Sequence, residues 1–432
     1  MRMNKFWRKK KRGSITVFLV IAFACFLLAA SVLFSAAKSA AGRSAADAAL
    51  GLAGRSVLSE YDRRLFSDYG ILAFRGDGAQ IEEDIAYYTD ASLNPRGLLY
   101  TFFRGGGTHI DALRMNTEDV EVNLKEYSVL DLDNFENQVK GAVLAKWLGQ
   151  VRSGGAGSAS GGAESGETGR TLRNSAVLTS LPSAGYNGPL FPSIAGIADL
   201  PKAESVFQEG TTQFLLGEYI CSVFSNHLDD PGGGQPSDRF FRNEMEYIIA
   251  GKTGDDANYN NVKWRLRAVR FALNNAAILI DSEKQAAIEE IALAVAALTE
   301  GSGYAVAKAA VTEAWVTAET RNDLMLLEAG KKVAFLKTSA QWATGDIAKI
   351  WAGFTASEAV EPASSSGFSY EDYLRILLFM LDRETKLLRM MDLIQINLKG
   401  DYYGDFLLRE HYVGFRFQCS VDGEKYAYAE KY

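Results

Sequence analysis

Few residues in this chain of 432 are spaced as catalysis or ligand binding requires. The nearest match is Gly251-Lys252-Thr253, which resembles the end of a phosphate-binding loop. That loop needs another Gly five residues before the Gly of the Gly-Lys pair, so that successive backbone N–H groups can surround a phosphate. Glu246 occupies this position, and the residues from there to Ile249 are mostly apolar. We therefore predict a strand that ends in a polar turn, and no nucleotide site.

Four acidic residues fall on one predicted helix, in the segment YAVAKAAVTEAWVTAETRNDLMLLEAG. They are Glu313, Glu319, Asp323 and Glu328. Paired carboxylates bind metal or exchange protons when they share an apolar pocket with suitable partners. The chain has only three His, no two of them close in sequence, and no second acidic helix accompanies the four carboxylates. We therefore predict a solvated helix face, with no metal and no cofactor.

Other residues that could bind a ligand by their type alone are interpreted as packing and turn residues. They are Tyr61, Asp62, Tyr69, Asn258, Trp315 and Trp342. A Ser-His-Asp triad is compatible with three His, but no nucleophile elbow supports one. The sequence thus identifies no catalytic residue and no small-molecule substrate.

The charge of the chain is concentrated at its N-terminus. Seven Lys and Arg residues lie within the first twelve positions, and because the whole chain carries a formal net charge of −7, residues 13–432 carry −14. Nucleic-acid binding normally needs a basic surface. An acidic body therefore argues against nucleic acid as a partner.

The basic cluster is followed at once by an uncharged apolar stretch, from Ser14 to Ala37. About 20 apolar residues in a helix cross the hydrocarbon layer of a bilayer, whereas the apolar core of a secretory signal is usually only about 7–15 residues long. By the positive-inside rule, the basic cluster keeps the N-terminus in the cytoplasm. The sequence thus predicts a single-pass protein of the cell membrane with an extracytoplasmic body and the lipid bilayer as one partner.

Periodicity predicts an α+β fold, mainly helical, in which the long transmembrane helix extends into the body as far as about Phe66. The small β elements should be antiparallel. Alternating apolar residues around Val120 predict a strand, and the same alternation on both sides of Asp422-Gly423 predicts a C-terminal β-hairpin. Helices are predicted for an apolar stripe from Val262 to Ile280, for a segment ending near Gly330, and for the whole of YEDYLRILLFMLDRETKLLRMMDLIQINL.

The clearest boundary is a Gly- and Ser-rich stretch at 153–169, which has the composition of a flexible linker. We predict five segments on this basis. They are a cytoplasmic basic tail (1–12), a transmembrane helix (13–37), a helical stalk with an N-terminal extracytoplasmic α+β region (38–150), a linker or disordered loop (151–172), and a mainly helical extracytoplasmic domain with the C-terminal hairpin (173–432).

The three cysteines predict little. Cys25 lies inside the apolar stretch, where it cannot join a soluble disulfide. Cys221 and Cys419 could pair outside the cell, but two cysteines so far apart in sequence do not predict a bond.

Five blocks cover most of the chain outside the linker: RGSITVFL, SEYDRRLFSDYGILAF, EYIIAGKTGDDANYNNV, AWVTAETRNDLMLLEAGKKVAFLKT and YEDYLRILLFMLDRETKLLRMMDLIQINL. With the Lys-Arg-Gly that precedes the apolar helix, they resemble the TadE/TadG-like proteins of the tight-adherence (Flp-type) pilus machinery. The likeness is greatest to a large branch of these proteins from Gram-positive, clostridia-type bacteria. No block is a catalytic signature. The resemblance implies a location and other pilus or secretion-system membrane subunits as partners, but no mechanism.

Three fates are open to the N-terminal segment: removal as a secretory signal, cleavage after Gly13 as in pilin-type leaders, or retention as an anchor. Removal is the least favoured, because the apolar stretch is long and continues as a helix. In pilin-type leaders a Glu at the fifth position after the cut supports cleavage and assembly. Counted from Ser14, that position is Phe18 here, which favours a retained anchor. Gly13, Ser14 and Phe18 are the candidate processing positions.

The function expected from these features is non-enzymatic. We expect an accessory, anchoring or pseudopilin-like component of a tight-adherence pilus or a related secretion system. Two alternatives stay open: a cell-envelope structural protein unrelated to pili, and a surface hydrolase whose site the sequence does not reveal. A cleft with convergent carboxylates or histidines would favour the hydrolase.

Overall fold

The computed structural model describes residues 15–94, 115–147, 180–185, 203–229, 240–345, 358–364 and 366–432. These residues form an α+β protein that is mainly helical, as predicted. The helices are α1 Ile15–Leu58, α2 Arg63–Tyr69, α3 Gly78–Leu93, α4 Leu132–Trp147, α5 Ala203–Val223, α6 Glu244–Ala250, α7 Asp255–Ile280, α8 Ser282–Leu298, α9 Tyr304–Glu328, α10 Tyr370–Phe379 and α11 Arg383–Asp401. The strands are β1 Phe74–Arg75, β2 Thr117–Asn123, β3 His411–Tyr412, β4 Gly414–Val421 and β5 Glu424–Lys431.

The chain divides into two compact units. We call the first the terminal unit: Met1–Tyr61, Phe74–Tyr127 and Tyr412–Tyr432. The second, here the central unit, is made of Asp62–Ala73 and Ser128–His411. The predicted linker at 151–172 lies outside the described residues, and the five-segment division stays a prediction.

The terminal unit is built on the carboxyl half of α1. Ala46, Leu50, Ala53 and Val57 recur at steps of three and four and are all buried, so they form one face of the helix. This face packs in one core with the buried residues of α3 and β4: Ile81, Ile85, Phe415, Phe417, Cys419 and Val421.

Helix α1 is shorter than predicted. It ends at Leu58 and does not reach Phe66. Asp62 then begins α2, because its carboxylate accepts hydrogen bonds from the backbone N–H groups of Arg64 and Leu65. An Asp in this capping position favours a new helix start over continuation of the old helix.

The three-stranded sheet of the terminal unit has the order β2-β4-β5 and is antiparallel throughout. The predicted C-terminal hairpin is confirmed. Val421 pairs with Glu424, which leaves Asp422 and Gly423 as a two-residue turn. Both turn residues have positive φ, 51° and 81°, as the tightest hairpin turns require.

Strand β5 is fastened along α1 by its side chains. The guanidinium of Arg43 donates to both carboxylate oxygens of Glu424, at 2.8 Å from Nε. Further along the strand, the Tyr428 hydroxyl donates to Asp47 and the Tyr432 hydroxyl donates to the backbone oxygen of Leu58. An exposed ion pair contributes little by itself, but these contacts fix which part of the strand lies against which part of the helix.

Two secondary-structure predictions for the central unit need correction. The residues before Gly251 form a helix, α6, where we predicted a strand. All seven residues of α6 are buried, and periodicity does not distinguish a helix buried on every side from a buried strand. The helix predicted from Tyr370 onward is two helices, because Asp382 accepts a hydrogen bond from the backbone of Thr385 and starts α11.

The core of the terminal unit predicts the effect of truncating Phe417, which is fully buried and stacks on Tyr428 with ring centroids 5.4 Å apart. We expect Phe417→Ala to lower the free energy of unfolding by about 3–5 kcal/mol, because it leaves a cavity between sheet and helix. Arg416→Ala is the matched control, since the neighbouring side chain is exposed. Denaturant unfolding of the detergent-solubilised protein measures both; equal losses in the two variants would contradict this packing.

Candidate membrane-spanning helix and buried polar clusters

The amino half of α1 is apolar and exposed. Phe18 is 73% exposed, Leu28 67% and Phe34 69%. The helix is long and apolar enough to cross a membrane, and none of its most apolar window is buried in the protein. Such a surface is far larger than the apolar patches that soluble monomers expose. A signal sequence near the N-terminus would have the same features, so this segment is a candidate membrane-spanning helix.

The candidate processing positions are only partly described. Phe18 lies within α1, whereas Gly13 and Ser14 lie outside the described residues. All three cysteines are free thiols, so Cys221 and Cys419 do not form a disulfide in this structure.

The prediction of a solvated acidic face on α9 is wrong for Glu319 and Asp323, both of which are fully buried. Oδ2 of Asp323 accepts hydrogen bonds from Nε of Arg270 at 3.1 Å, from Nη2 of Arg270 at 2.9 Å and from the Asn274 amide at 2.8 Å. Nζ of Lys337 contacts both carboxylates. The other two acidic residues are not buried: Glu313 is exposed and Glu328 half-buried.

Glu319 also accepts hydrogen bonds from groups other than Lys337. Its carboxylate accepts from the backbone N–H groups of Ala343 and Thr344, at 3.0 and 2.9 Å, and from the Thr344 hydroxyl. Burial raises the pKa of Glu319, but the contacts with Lys337 and Thr344 outweigh burial and hold this pKa below its ordinary value. The carboxylate is therefore ionised at neutral pH.

Two cations and two carboxylates thus balance one another inside the central unit. Arg270 also donates to the backbone oxygens of Ala334 and Phe335, at 2.8 and 3.0 Å, and to the Tyr373 hydroxyl at 2.8 Å. Buried ion pairs persist only when their remaining polar atoms are satisfied, as they are here. We name this set of four charged residues, Arg270, Glu319, Asp323 and Lys337, the charge cluster.

A further buried carboxylate, Glu246 on α6, forms no ion pair within the described part of the chain. Its Oε1 accepts from the Tyr370 hydroxyl at 2.7 Å and from the backbone N–H of His227 at 3.0 Å. Its Oε2 is buried and has no hydrogen-bond partner among the described residues. Burial is the main cause that raises the pKa of Glu246, to about 7. The imidazole of His227 stacks on Tyr259, with ring centroids 4.0 Å apart.

Gly251-Lys252-Thr253 closes a helix and does not form a phosphate loop. Gly251 has φ +65° and ends α6, and its N–H donates to the Tyr247 oxygen at 2.7 Å. The guanidinium of Arg389 lies against Gly251 and donates to the last carbonyls of α6, at Ile248 and Ile249. The predicted polar turn is confirmed, since the Asn258 amide bonds both the N–H and the oxygen of Lys252.

A groove of about 520 Å³ in the central unit brings three carboxylates together, as the hydrolase alternative would need. It is lined by Met325, Leu326, Glu328, Ala329, Lys331, Glu358, Ala359 and Glu361. However, Lys331 pairs with Glu361 at 3.1 Å, and Lys263 with the Tyr259 hydroxyl binds Glu328. Nor does any group of three or more His, Cys, Asp or Glu in the described part of the chain have a metal-binding arrangement. These pairings favour a structural role for Glu328 and Glu361.

The residues interpreted as packing and turn residues have those roles. Tyr69, Trp315 and Trp342 are buried, Asp62 caps α2, Asn258 closes the turn after α6, and Tyr61 bridges to Phe74. Sequence reasoning missed Arg270 and Lys337. One signal for Arg270 was available: it follows Val262 and Leu266 at steps of four and so shares their buried face of α7, where a charge needs a buried partner.

Comparison with known sequences places the buried clusters inside a family. Residues 169–423 match DUF5702, described as a family of unknown function. The match covers more than half of the chain, includes the charge cluster and Glu246, and excludes α1. No curated protein and no solved structure matches the chain.

Glu246 predicts a pH dependence of stability. Its pKa is about 7 in the folded state against 4.5 for the free side chain, so between these values only the folded protein holds the proton. The free energy of unfolding therefore falls as pH rises through this window, by at most about 3 kcal/mol from this group. Glu246→Gln removes that part of the slope. Denaturant titrations at about pH 5 and about pH 8 measure it, and Glu313→Gln, at an exposed site, should keep the wild-type slope.

Gly251 predicts a second effect. A Cβ at this position would lie 2.5 Å from the Arg389 guanidinium, and φ +65° is unfavourable for other residues. We expect Gly251→Ala to lower the thermal midpoint clearly, because Arg389 must leave the end of α6. Gly330→Ala is the control, since it has φ +72° but nothing within 4 Å of an added Cβ. If both variants lowered the thermal midpoint equally, backbone strain alone would explain the effect, and the proposed displacement of Arg389 would be contradicted.

Proposed function

The chain belongs to DUF5702, a family of unknown function, and for it we propose a non-enzymatic role as a single-pass membrane protein: an accessory, anchoring or pseudopilin-like component of a tight-adherence pilus or a related secretion system. The observation that carries this proposal is the division of α1. Its amino half exposes apolar side chains, and its carboxyl half supplies the buried face of the terminal unit.

This division suits an anchor that is part of the body. Withdrawing α1 from the terminal unit would expose Leu50 and Val57, together with the aromatic residues of β4 that cover them. The cost of exposing such side chains is about 1.5–3 kcal/mol each. Because α1 is one continuous helix, a movement of its amino half in the membrane would also move the sheet that packs on its carboxyl half.

The proposed topology follows from charge. The seven basic residues before the apolar stretch stay in the cytoplasm, and the acidic body lies outside. The resemblance to TadE/TadG-like proteins supports pilus or secretion-system membrane subunits as partners. Their transmembrane helices would pack against α1 beside the bilayer lipids, where small side chains such as Ala29 and Ala36 allow close approach.

The fate of the leader gives the direct test. We expect the membrane-extracted protein to keep residues before Gly13, because Phe18 replaces the Glu that supports leader cleavage. N-terminal sequencing and intact mass measure this. In a host with a prepilin peptidase, Phe18→Glu should increase cleavage to a product that begins at Ser14, whereas Phe18→Leu should not.

Location and partners test the rest of the proposal. Protease added to intact cells should degrade the body. When the protein is purified from a detergent extract, the secretion ATPase or the membrane platform of the pilus should co-purify with it. Recovery in the soluble cytoplasmic fraction would overturn the proposal. A membrane location without any pilus partner would favour the envelope structural protein instead.

A further inference from the structure

We propose that Lys337 and Asp323 are joined by an intramolecular isopeptide bond that the central unit forms by itself. The bond would link the side-chain nitrogen of the lysine to Cγ of the aspartate and tie the last turns of α9 to the segment that follows it. This inference concerns chemistry within the charge cluster, and it does not depend on the proposed function.

The reacting groups are together and shielded from water. Nζ of Lys337 contacts Oδ1 of Asp323 and Oε1 of Glu319, and the side chains are 2%, 0% and 0% exposed. Trp342 forms one wall, with its ring 5.6 Å from Nζ, and packs edge-on against Trp315. A site that excludes water favours condensation, because water is both the product and the competing nucleophile.

The other oxygen of Asp323 is surrounded by donors. Arg270 and Asn274 direct three N–H groups at Oδ2, at 2.8–3.1 Å. Negative charge would develop on this oxygen when a nucleophile attacks Cγ. Fixed donors aimed at such an oxygen are the usual way in which proteins stabilise acyl-transfer intermediates.

Glu319 is placed to move the proton. Its Oε1 contacts the lysine nitrogen, while Ala343 and Thr344 fix the carboxylate through backbone hydrogen bonds. A general base must lie within hydrogen-bond reach of the proton that it takes, and this one does.

The reaction balances without a co-reactant. One ammonium proton of Lys337 passes to Oδ1 of Asp323, and the freed lone pair attacks Cγ while the C=O electrons move onto Oδ2. Glu319 takes a second proton from the nitrogen and gives it to Oδ1, which leaves as water as the C=O bond re-forms. The third proton stays on the amide nitrogen.

The polar atoms of the product would be as fully hydrogen-bonded as those of the ion pair. The new amide oxygen keeps its bonds from Arg270 and Asn274, and the amide N–H donates to Glu319. Condensation removes one positive and one negative charge, so Arg270 and Glu319 still balance each other. No buried polar atom of the charge cluster loses its partner, which buried amides require.

Intact mass spectrometry of the purified, denatured full chain tests the inference. We expect a mass lower than that of the sequence by one water. Trypsin should give a branched peptide in which residues 322–331 are joined to residues 333–349 through an uncut Lys337. The mass of the unmodified sequence, with linear peptides from both regions, would overturn the proposal.

Lys337→Arg is the matched control, because it keeps the cation and removes the nucleophile. Its mass should equal that of its own sequence. Loss of water that persists in this variant would overturn the proposal, since succinimide formation at Asp77-Gly78 or Asp422-Gly423 gives the same mass change. Glu319→Gln tests the proton carrier: we expect unlinked protein, and full linkage would exclude this role for Glu319.

Discussion

One helix carries two different surfaces, an exposed apolar half and a half with a buried face, and the rest of the terminal unit depends on that division. The amino half of α1 is covered with side chains that water does not favour, while the carboxyl half carries a narrow buried stripe between polar residues. A helix satisfies its own backbone hydrogen bonds, so both halves can belong to one unbroken helix, Ile15–Leu58. The sheet and α3 are then arranged around the half that enters the body.

The central unit is organised by a different requirement, the neutralisation of buried charge. Arg270 comes from α7, Glu319 and Asp323 from α9, and Lys337 from the segment that follows α9. Each ion would be costly to bury alone, so none of these elements can take its position without the others. Pairing of the buried charges therefore favours one arrangement of the helices. Packing between Ala-rich helices alone would distinguish poorly between alternative arrangements.

The sequence was informative where one element determines its own structure. The long apolar helix, the alternation in β2 and β4, and the Asp-Gly turn each follow from a local pattern, and each is present. Prediction failed where a partner lies elsewhere in the chain. Glu319 and Asp323 have the spacing of an exposed helix face, and only Lys337 and Arg270 make them interior residues. The same holds for α6, whose burial on all sides removes the periodicity that distinguishes helix from strand.

The pairing of β5 with α1 has a consequence for how the protein is made. Arg43 and Glu424 are 381 residues apart, and the central unit lies between them in the chain. The part of the buried stripe of α1 that β4 covers therefore stays exposed until the central unit has been synthesised, because β4 and β5 follow that unit in the chain. A chain that stops before β4 would keep the long apolar helix with an unfinished core, a state that proteases and chaperones recognise. The core of the terminal unit can thus close only after the central unit has been translated.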